Sequence, residues 1–212
     1  TLSGGIGDDY VDGGDGIDVV DYGDVASSVN VSLTTASATG VDINTDTLVS
    51  IENVSGGLGD DTITGDSAAN QLFGDAGNDY IDGGAGADVI DGGLGDDTLT
   101  GGEGDDSIYG GLGADTIISS AGNDLIAGGM GLDTVVFSGD KADYTFNVDQ
   151  IGALTIANVN PTHGSDTVTG VETLSFDDGV LSVSTAVDGS VLLAGSFVDD
   201  VVTIQNNSYV SG

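Results

Sequence analysis

A nine-residue period constrains this chain more than any other feature. Residues 56–136 divide without a gap into nine units of nine residues, each close to G-G-x-G-x-D-x-U-x with U aliphatic. The clearest copies read GGLGDDTIT, GGAGADVID, GGLGDDTLT and GGLGADTII. Position six holds Asp61, Asn70, Asp79, Asp88, Asp97, Asp106, Asp115, Asp124 and Asp133. Position eight holds Ile63, Leu72, Ile81, Ile90, Leu99, Ile108, Ile117, Ile126 and Val135. Two further units occupy residues 4–12 and 13–21, with Asp9 and Asp18 at position six and Val11 and Val20 at position eight. Leu2 lies nine residues before Val11, so the chain reads as a piece cut from a longer array. A fixed short period of this kind specifies a stacked architecture.

The first six residues of a unit suit a tight turn, because Gly accepts positive φ and lets backbones approach closely. The last three suit a short strand with one aliphatic side chain turned inward. Two units then make one coil of 18 residues with a strand on each side. Successive coils stack their strands in parallel about 4.8 Å apart. Asp61, Asp79, Asp97, Asp115 and Asp133 are expected along one edge, and Asn70, Asp88, Asp106 and Asp124 along the other.

Composition says what must hold such edges together. The 212 residues include 36 acids and one Lys, for a formal charge of -35. Asp outnumbers Glu 33 to 3, and a short carboxylate beside Gly suits a turn that ligates a cation better than a solvating tail. Calcium accepts six to eight oxygens in flexible geometry, whereas magnesium demands a tight octahedron and keeps its waters. Transition metals prefer His or Cys, and the chain has one His and no Cys. The same charge argues against nucleic acid, whose binding needs Lys and Arg, and against anionic membrane surfaces. Carboxylates stacked without a counter-ion repel, so the metal-free array is expected to be unfolded and metal binding to supply the folding energy.

The nonapeptide resembles that of the RTX (repeats-in-toxin, haemolysin-type) calcium-binding family, and eleven copies carry the resemblance. It implies an all-β fold, a right-handed parallel β-roll. It also implies a calcium between each pair of stacked turns. That ion would take carbonyls from positions two and four of the first turn and one and three of the second, with the position-six side chain of each. For the first pair these are Gly57, Gly59 and Asp61 with Gly74, Ala76 and Asp79. Farther along that edge the carbonyl sets are Asp75, Gly77, Gly92 and Leu94, then Gly93, Gly95, Gly110 and Leu112, then Gly111, Gly113, Gly128 and Met130. On the opposite edge they are Gly84, Gly86, Gly101 and Glu103, then Gly102, Gly104, Ser119 and Ala121. Counting pairs gives four sites on one edge and three on the other, about seven calcium ions in the main array. Asp9 and Asp18 are the matching ligands of the short array. Asn70 lacks a carboxylate and its turn, GDSAAN, lacks Gly at positions two and four. Its site with Asp88 is therefore expected to be the weakest.

The resemblance extends to function. It implies a calcium-binding module of a larger secreted bacterial protein, folded by calcium after type I secretion from a Gram-negative cell. Its partners would be calcium, the remainder of the parent polypeptide and the secretion machinery. A structural segment of a surface-layer protein or large adhesin is an alternative, as is an accessory module of a secreted protease, lipase or epimerase. No H-E-x-x-H motif or Ser-His-Asp context is present, so catalysis is not expected within this chain.

The remaining segments break the period. Residues 22–55 read as an inserted β-ribbon that rejoins the roll, with Asp46 and Leu48 restoring the D-x-U spacing. Residues 137–183 read as a β-rich cap, with strands expected at 144–148, 154–156, 174–176 and 180–183. The cap repeats the plan of the ribbon: DTVTGVETL at 166–174 parallels DTLVSIENV at 46–54. Asp166, with Gly164 two residues before it, is a further candidate ligand. His163 reads as a loop residue, Lys141 as a surface charge, and Asp60, Asp96 and Asp105 at position five as solvent-facing acids. Residues 184–212 read as a C-terminal extension or the start of another domain.

Overall fold

Each nonapeptide of the array contributes one short strand, and successive strands alternate between two sheets. The structure, a computed structural model, describes residues 1–149, 153–159, 163–185, 191–195 and 201–204. The chain opens with β1 (Tyr10–Asp12) and β2 (Val19–Asp21), followed by β3 (Val29–Ser32), β4 (Ser37–Gly40), β5 (Asn44–Val49) and β6 (Asn53–Gly57). In the array, β7 (Thr62–Thr64), β9 (Tyr80–Asp82), β11 (Thr98–Thr100), β13 (Thr116–Ile118) and β15 (Thr134–Val136) lie in the first sheet. β8 (Gln71–Asp75), β10 (Val89–Leu94), β12 (Ser107–Leu112) and β14 (Leu125–Met130) lie in the second.

All neighbours within the array pair in parallel, one coil apart. Ile63 faces Ile81, Leu99, Ile117 and Val135 in turn. On the other side Leu72 faces Ile90, Ile108 and Ile126. These nine aliphatic side chains are fully buried and form two inward-facing ladders. Their flanks are often Thr, a β-branched residue that favours the pleated backbone. The result is a parallel β-roll, as the period predicts.

The ribbon joins the roll by an out-of-order path. After β2 the chain passes forward to β3, which pairs in parallel with β7 at Val31–Ile63. It then returns through antiparallel β4 and β5, and β5 pairs in parallel with β1 at Leu48–Val11. β6 closes the coil against β2 and β8. Tyr22 is buried in the core at the start of this excursion, in the same hydrophobic cluster as Val29, Ile43 and Ile51.

The C-terminal region follows the same path. β16 (Tyr144–Val148), β17 (Leu154–Asn158) and β18 (Ser165–Thr169) form an antiparallel meander. β18 pairs in parallel with β14 at Val168–Ile126, and β19 (Thr173–Phe176) pairs with β15 at Leu174–Val135. Phe137, Tyr144 and Phe176 pack with ring centroids 5.2–5.3 Å apart. They close the roll in the place that Tyr22 occupies in the ribbon. β20 (Gly179–Thr185), β21 (Val191–Gly195) and β22 (Val201–Ile204) extend the first sheet in antiparallel fashion. The reading of residues 184–212 as an extension or new domain lies partly outside the described residues.

Candidate metal centre

The stacking places every position-six side chain of the main array inside a turn edge, where it is at most 2% exposed. One oxygen of each carboxylate is used by the backbone. The N–H of Asp61 donates to Asp79 Oδ1 at 2.7 Å, Asp79 to Asp97 at 2.8 Å, Asp97 to Asp115 at 2.9 Å and Asp115 to Asp133 at 3.0 Å. The opposite edge repeats this from Asn70 to Asp88, Asp106 and Asp124. The other oxygen, Oδ2, has no hydrogen-bond partner in Asp61, Asp79, Asp88, Asp97, Asp106, Asp115, Asp124 or Asp133. A buried acceptor left unpaired costs about 1–3 kcal/mol, more if charged. Eight such atoms in register therefore call for a ligand.

The position-one glycines show where that ligand fits. A methyl group placed on Gly56 would lie 2.5 Å from Asp61 Oδ2 and 2.9 Å from the Gly74 carbonyl oxygen. Gly74, Gly92 and Gly110 repeat this cradle with the Oδ2 of Asp79, Asp97 and Asp115 and the carbonyls of Gly92, Gly110 and Gly128. Each of these four pairs of turns thus brings together an unpaired carboxylate oxygen and a carbonyl oxygen, a hard all-oxygen set that suits calcium. Among the described residues no three His, Cys, Asp or Glu side chains converge as a metal cluster. Backbone carbonyls must therefore complete any coordination shell.

Electrostatics favours a cation. Burial raises the carboxyls of Asp61, Asp88, Asp97 and Asp106 to about 6 and that of Asp79 to about 7, against an ordinary 3.8. The accepted backbone N–H opposes the rise, and neighbouring acids add to it. Burial likewise pushes up Asp115, Asp124 and Asp133. An adjacent divalent charge would reverse these shifts, because opposite charge favours the ionised form.

The carbonyls that the resemblance implicates are not equivalent. Those at position one converge on the Oδ2 atoms. Position-two carbonyls of Gly57, Gly84 and Gly102 accept the N–H of Ala76, Glu103 and Ala121 one coil on. Position-three carbonyls of Leu94, Glu103, Leu112, Ala121 and Met130 accept the N–H of Gly77, Gly86, Gly95, Gly104 and Gly113. A carbonyl has a second lone pair, so these bonds do not use up its capacity. Position-four carbonyls abut the next position-four glycine. Gly104, at φ +135°, has the Gly86 oxygen where a Cβ would stand.

Asn70 stands apart. Its Oδ1 accepts the N–H of Asp66 at 2.9 Å and its Nδ2 donates to the Glu52 carbonyl at 2.7 Å. Its side chain is therefore satisfied without an ion. Asp9 and Asp18 do not meet another nonapeptide Asp. Their N–H groups donate to Asp46 Oδ1 at 3.1 Å and Glu52 Oε2 at 2.8 Å.

Sequence reasoning missed Glu52 and Glu172 as members of the ladders. Asp133 N–H donates to Glu172 Oε2 at 2.9 Å, and Asp124 N–H to Asp166 Oδ1 at 3.1 Å. The available signal was the shared D-x5-E spacing of 46–52 and 166–172. The exposed acids at position five also have an unforeseen task. Asp60, Asp96 and Asp105 accept the N–H of Asn78, Ala114 and Asn123, each one coil along. They form a second, outer ladder.

The family model of the RTX calcium-binding nonapeptide repeat matches the chain in four copies, at residues 1–24, 51–81, 64–99 and 100–135. The chain belongs to the RTX calcium-binding repeat family. The match spans the short array and the long one as far as residue 135, the residues that carry the Oδ2 cradles. The RTX repeats are calcium binders, and the eight unpaired oxygens fit that ion. Comparison with curated proteins returns no matching relative.

Proposed function

We propose that this RTX chain is a calcium-triggered folding module of a larger secreted protein, exported unfolded by a type I pathway and folded outside the cell. The observation that carries this reading is the run of buried carboxylate oxygens without a partner. In low calcium those oxygens have no counter-charge, and the chain's single Lys supplies almost none. The folded roll is then disfavoured. Bound calcium supplies the missing positive charge between turns. Asp79, Asp97 and their equivalents hold the turns in register through Oδ1 and present Oδ2 to the ion. Binding free energy thus becomes folding free energy. Extracellular calcium modules typically bind at about 10⁻⁴–10⁻³ M, far above cytosolic levels, which suits a chain that must stay unfolded until exported. The module is non-catalytic in this reading, and any activity resides in other parts of the parent protein.

Far-UV circular dichroism during a calcium titration tests the proposal. A cooperative gain of β-structure, reversed by chelator, is expected. A spectrum and melting curve that do not respond to calcium or chelator would rule it out.

A further inference from the structure

We infer that the turn edge running from Asp61 to Asp133 is a docking surface for a basic amphipathic helix supplied from outside this chain.

The two edges of the roll differ at a position that neither the core nor the carboxylate ladder uses. Position three of the turn holds Leu58, Ala76, Leu94, Leu112 and Met130 on this edge. On the opposite edge it holds Ser67, Ala85, Glu103 and Ala121. Both edges are built from the same turn, so folding alone does not call for large apolar side chains here. Ala76 stands in register with Leu94, Leu94 with Leu112 and Leu112 with Met130. Leu58, Leu94, Leu112 and Met130 nevertheless remain 47–74% exposed. Single exposed apolar residues are ordinary, but a contiguous row marks an interaction surface. Leu132, at position five of the last turn, is exposed as well and extends the row toward the cap.

Spacing and charge select the occupant. The carbonyls of Leu94, Leu112 and Met130 already accept the N–H of Gly77, Gly95 and Gly113, so a partner meets side chains rather than an open strand edge. Coils about 4.8 Å apart nearly match the 5.4 Å pitch of an α-helix. A helix lying along the roll axis therefore sets one apolar residue per turn, at i, i+3 or i+4 and i+7, against each coil. The four coil steps from Leu58 to Met130 span about 19 Å, or about 13 helical residues. An extended segment presents one face only every ~7 Å and falls out of step within two coils. Asp60 and Asp96 lie two residues after Leu58 and Leu94, and Asp75 immediately precedes Ala76; all three are exposed. Asp60 and Asp96 each use Oδ1 for an N–H of the next coil and keep capacity for further donors. Covering the row desolvates these carboxylates, which is costly unless positive charge arrives with the cover. The chain has one Lys and a formal charge of -35, so a second copy brings almost none. The Lys or Arg must come with the helix. Asp60 and Asp96 are two coils apart, about 10 Å, which is close to seven helical residues.

The test uses the full chain in saturating calcium and a fluorescent Leu–Lys peptide of about 15 residues, with its leucines on one helical face. An isomer of the same composition, with leucines dispersed around the helix, is the control. Anisotropy titrations are expected to show the amphipathic peptide binding the wild type roughly tenfold or more tighter than the isomer. Leu94→Ser with Leu112→Ser, which keeps both backbone carbonyls, is expected to abolish that preference. Asp60→Asn with Asp96→Asn, which keeps both acceptors, is expected to weaken binding and flatten its salt dependence. Far-UV circular dichroism verifies folding, and Leu58→Ser with Met130→Ser carries the test if the first pair does not fold. Equal binding of the two peptides, or of the amphipathic peptide to wild type and serine variants, reduces the effect to net charge and overturns the inference. Failure of either peptide to bind also overturns it. Sedimentation velocity and flotation with phosphatidylcholine vesicles report the other occupants. Self-association or vesicle binding that the serine variants abolish would assign the row to a second copy or to lipid instead.

Discussion

Asp97 sits in the middle of its ladder, so replacing it with Asn isolates what the carboxylate charge does there. Asp97 Oδ1 accepts the Asp79 N–H, and its own N–H donates to Asp115. The Asn side chain preserves the acceptor and nearly the same volume. Without calcium, burial raises the Asp97 carboxyl from 3.8 to about 6. At about 1.4 kcal/mol per tenfold change in the acid constant, keeping it ionised near pH 7.5 costs the folded state on the order of 2–3 kcal/mol. Asp97→Asn removes that cost, so in chelator with a stabilising osmolyte the variant is expected to be more stable than wild type by about that amount. With calcium the sign reverses. Asp97 belongs to two turn pairs, with Asp79 and with Asp115. A roughly tenfold loss of affinity at each removes about 3 kcal/mol in total. The hydrogen-bonded turn pairs number four on one edge and three on the other. With one ion in each of these seven turn pairs, the loss would be roughly 0.4 kcal/mol per ion and would raise the calcium midpoint about twofold. Denaturant unfolding in chelator and in saturating calcium, with a dichroism-monitored calcium titration, reads both signs. Loss of stability in both conditions, or gain in both, would refute the argument that the ladder is a charge problem solved by calcium.

Three further perturbations probe the same frame. The buried carboxyls of Asp61, Asp79, Asp88, Asp97 and Asp106 rise to about 6–7 in the folded calcium-free chain. The folded state then binds more protons than the unfolded one, so calcium-free stability is expected to increase as pH falls from about 7 toward about 4. In calcium the trend is opposite, because protons compete for the same oxygens; titrations at several pH values should show the midpoint rising on acidification. Leu99→Ala opens a cavity between Ile81 and Ile117, where Leu99 is fully buried. A loss of about 2–5 kcal/mol is expected in calcium-saturated denaturant melts, and a loss under about 1 kcal/mol would show that the ladder side chains are not tightly packed. Tyr22→Phe removes the hydroxyl that donates to Asp46 Oδ2 at 3.0 Å. That leaves a buried carboxylate oxygen unpaired and should cost about 1–3 kcal/mol by the same measurement.

The nonapeptides were legible because one unit carries all the information needed to place it. A Gly-rich turn, one inward aliphatic and a fixed length put Ile63 over Ile81 and Asp61 over Asp79 with no long-range choice. The strands expected at 144–148 and 180–183 fall within β16 and β20 for the local reason that their residues alternate. The order in which the ribbon strands pair was not legible. β5 returns to β1 while β3 reaches ahead to β7, and neither partner is set by local spacing. The same non-local path hid Glu52 and Glu172, which are brought to Asp18 and Asp133 across 34 and 39 residues. Asp60, Asp96 and Asp105 are exposed, as their polarity predicts, but their acceptance of an N–H from the next coil depends on backbone direction at position five and was not legible.

The unit count has a geometric consequence of its own. The ribbon adds its strands to the first sheet, whereas the meander of β16–β18 adds to the second. Ten strands, β6 to β15, separate them, an even number, and each hands the chain to the opposite side. Parity therefore decides where the terminal elaborations face. Adding or deleting one nonapeptide would bring both to the same side and turn every later element over. Adding or deleting a pair would change only the length, so natural or engineered variation in such arrays should proceed in steps of two.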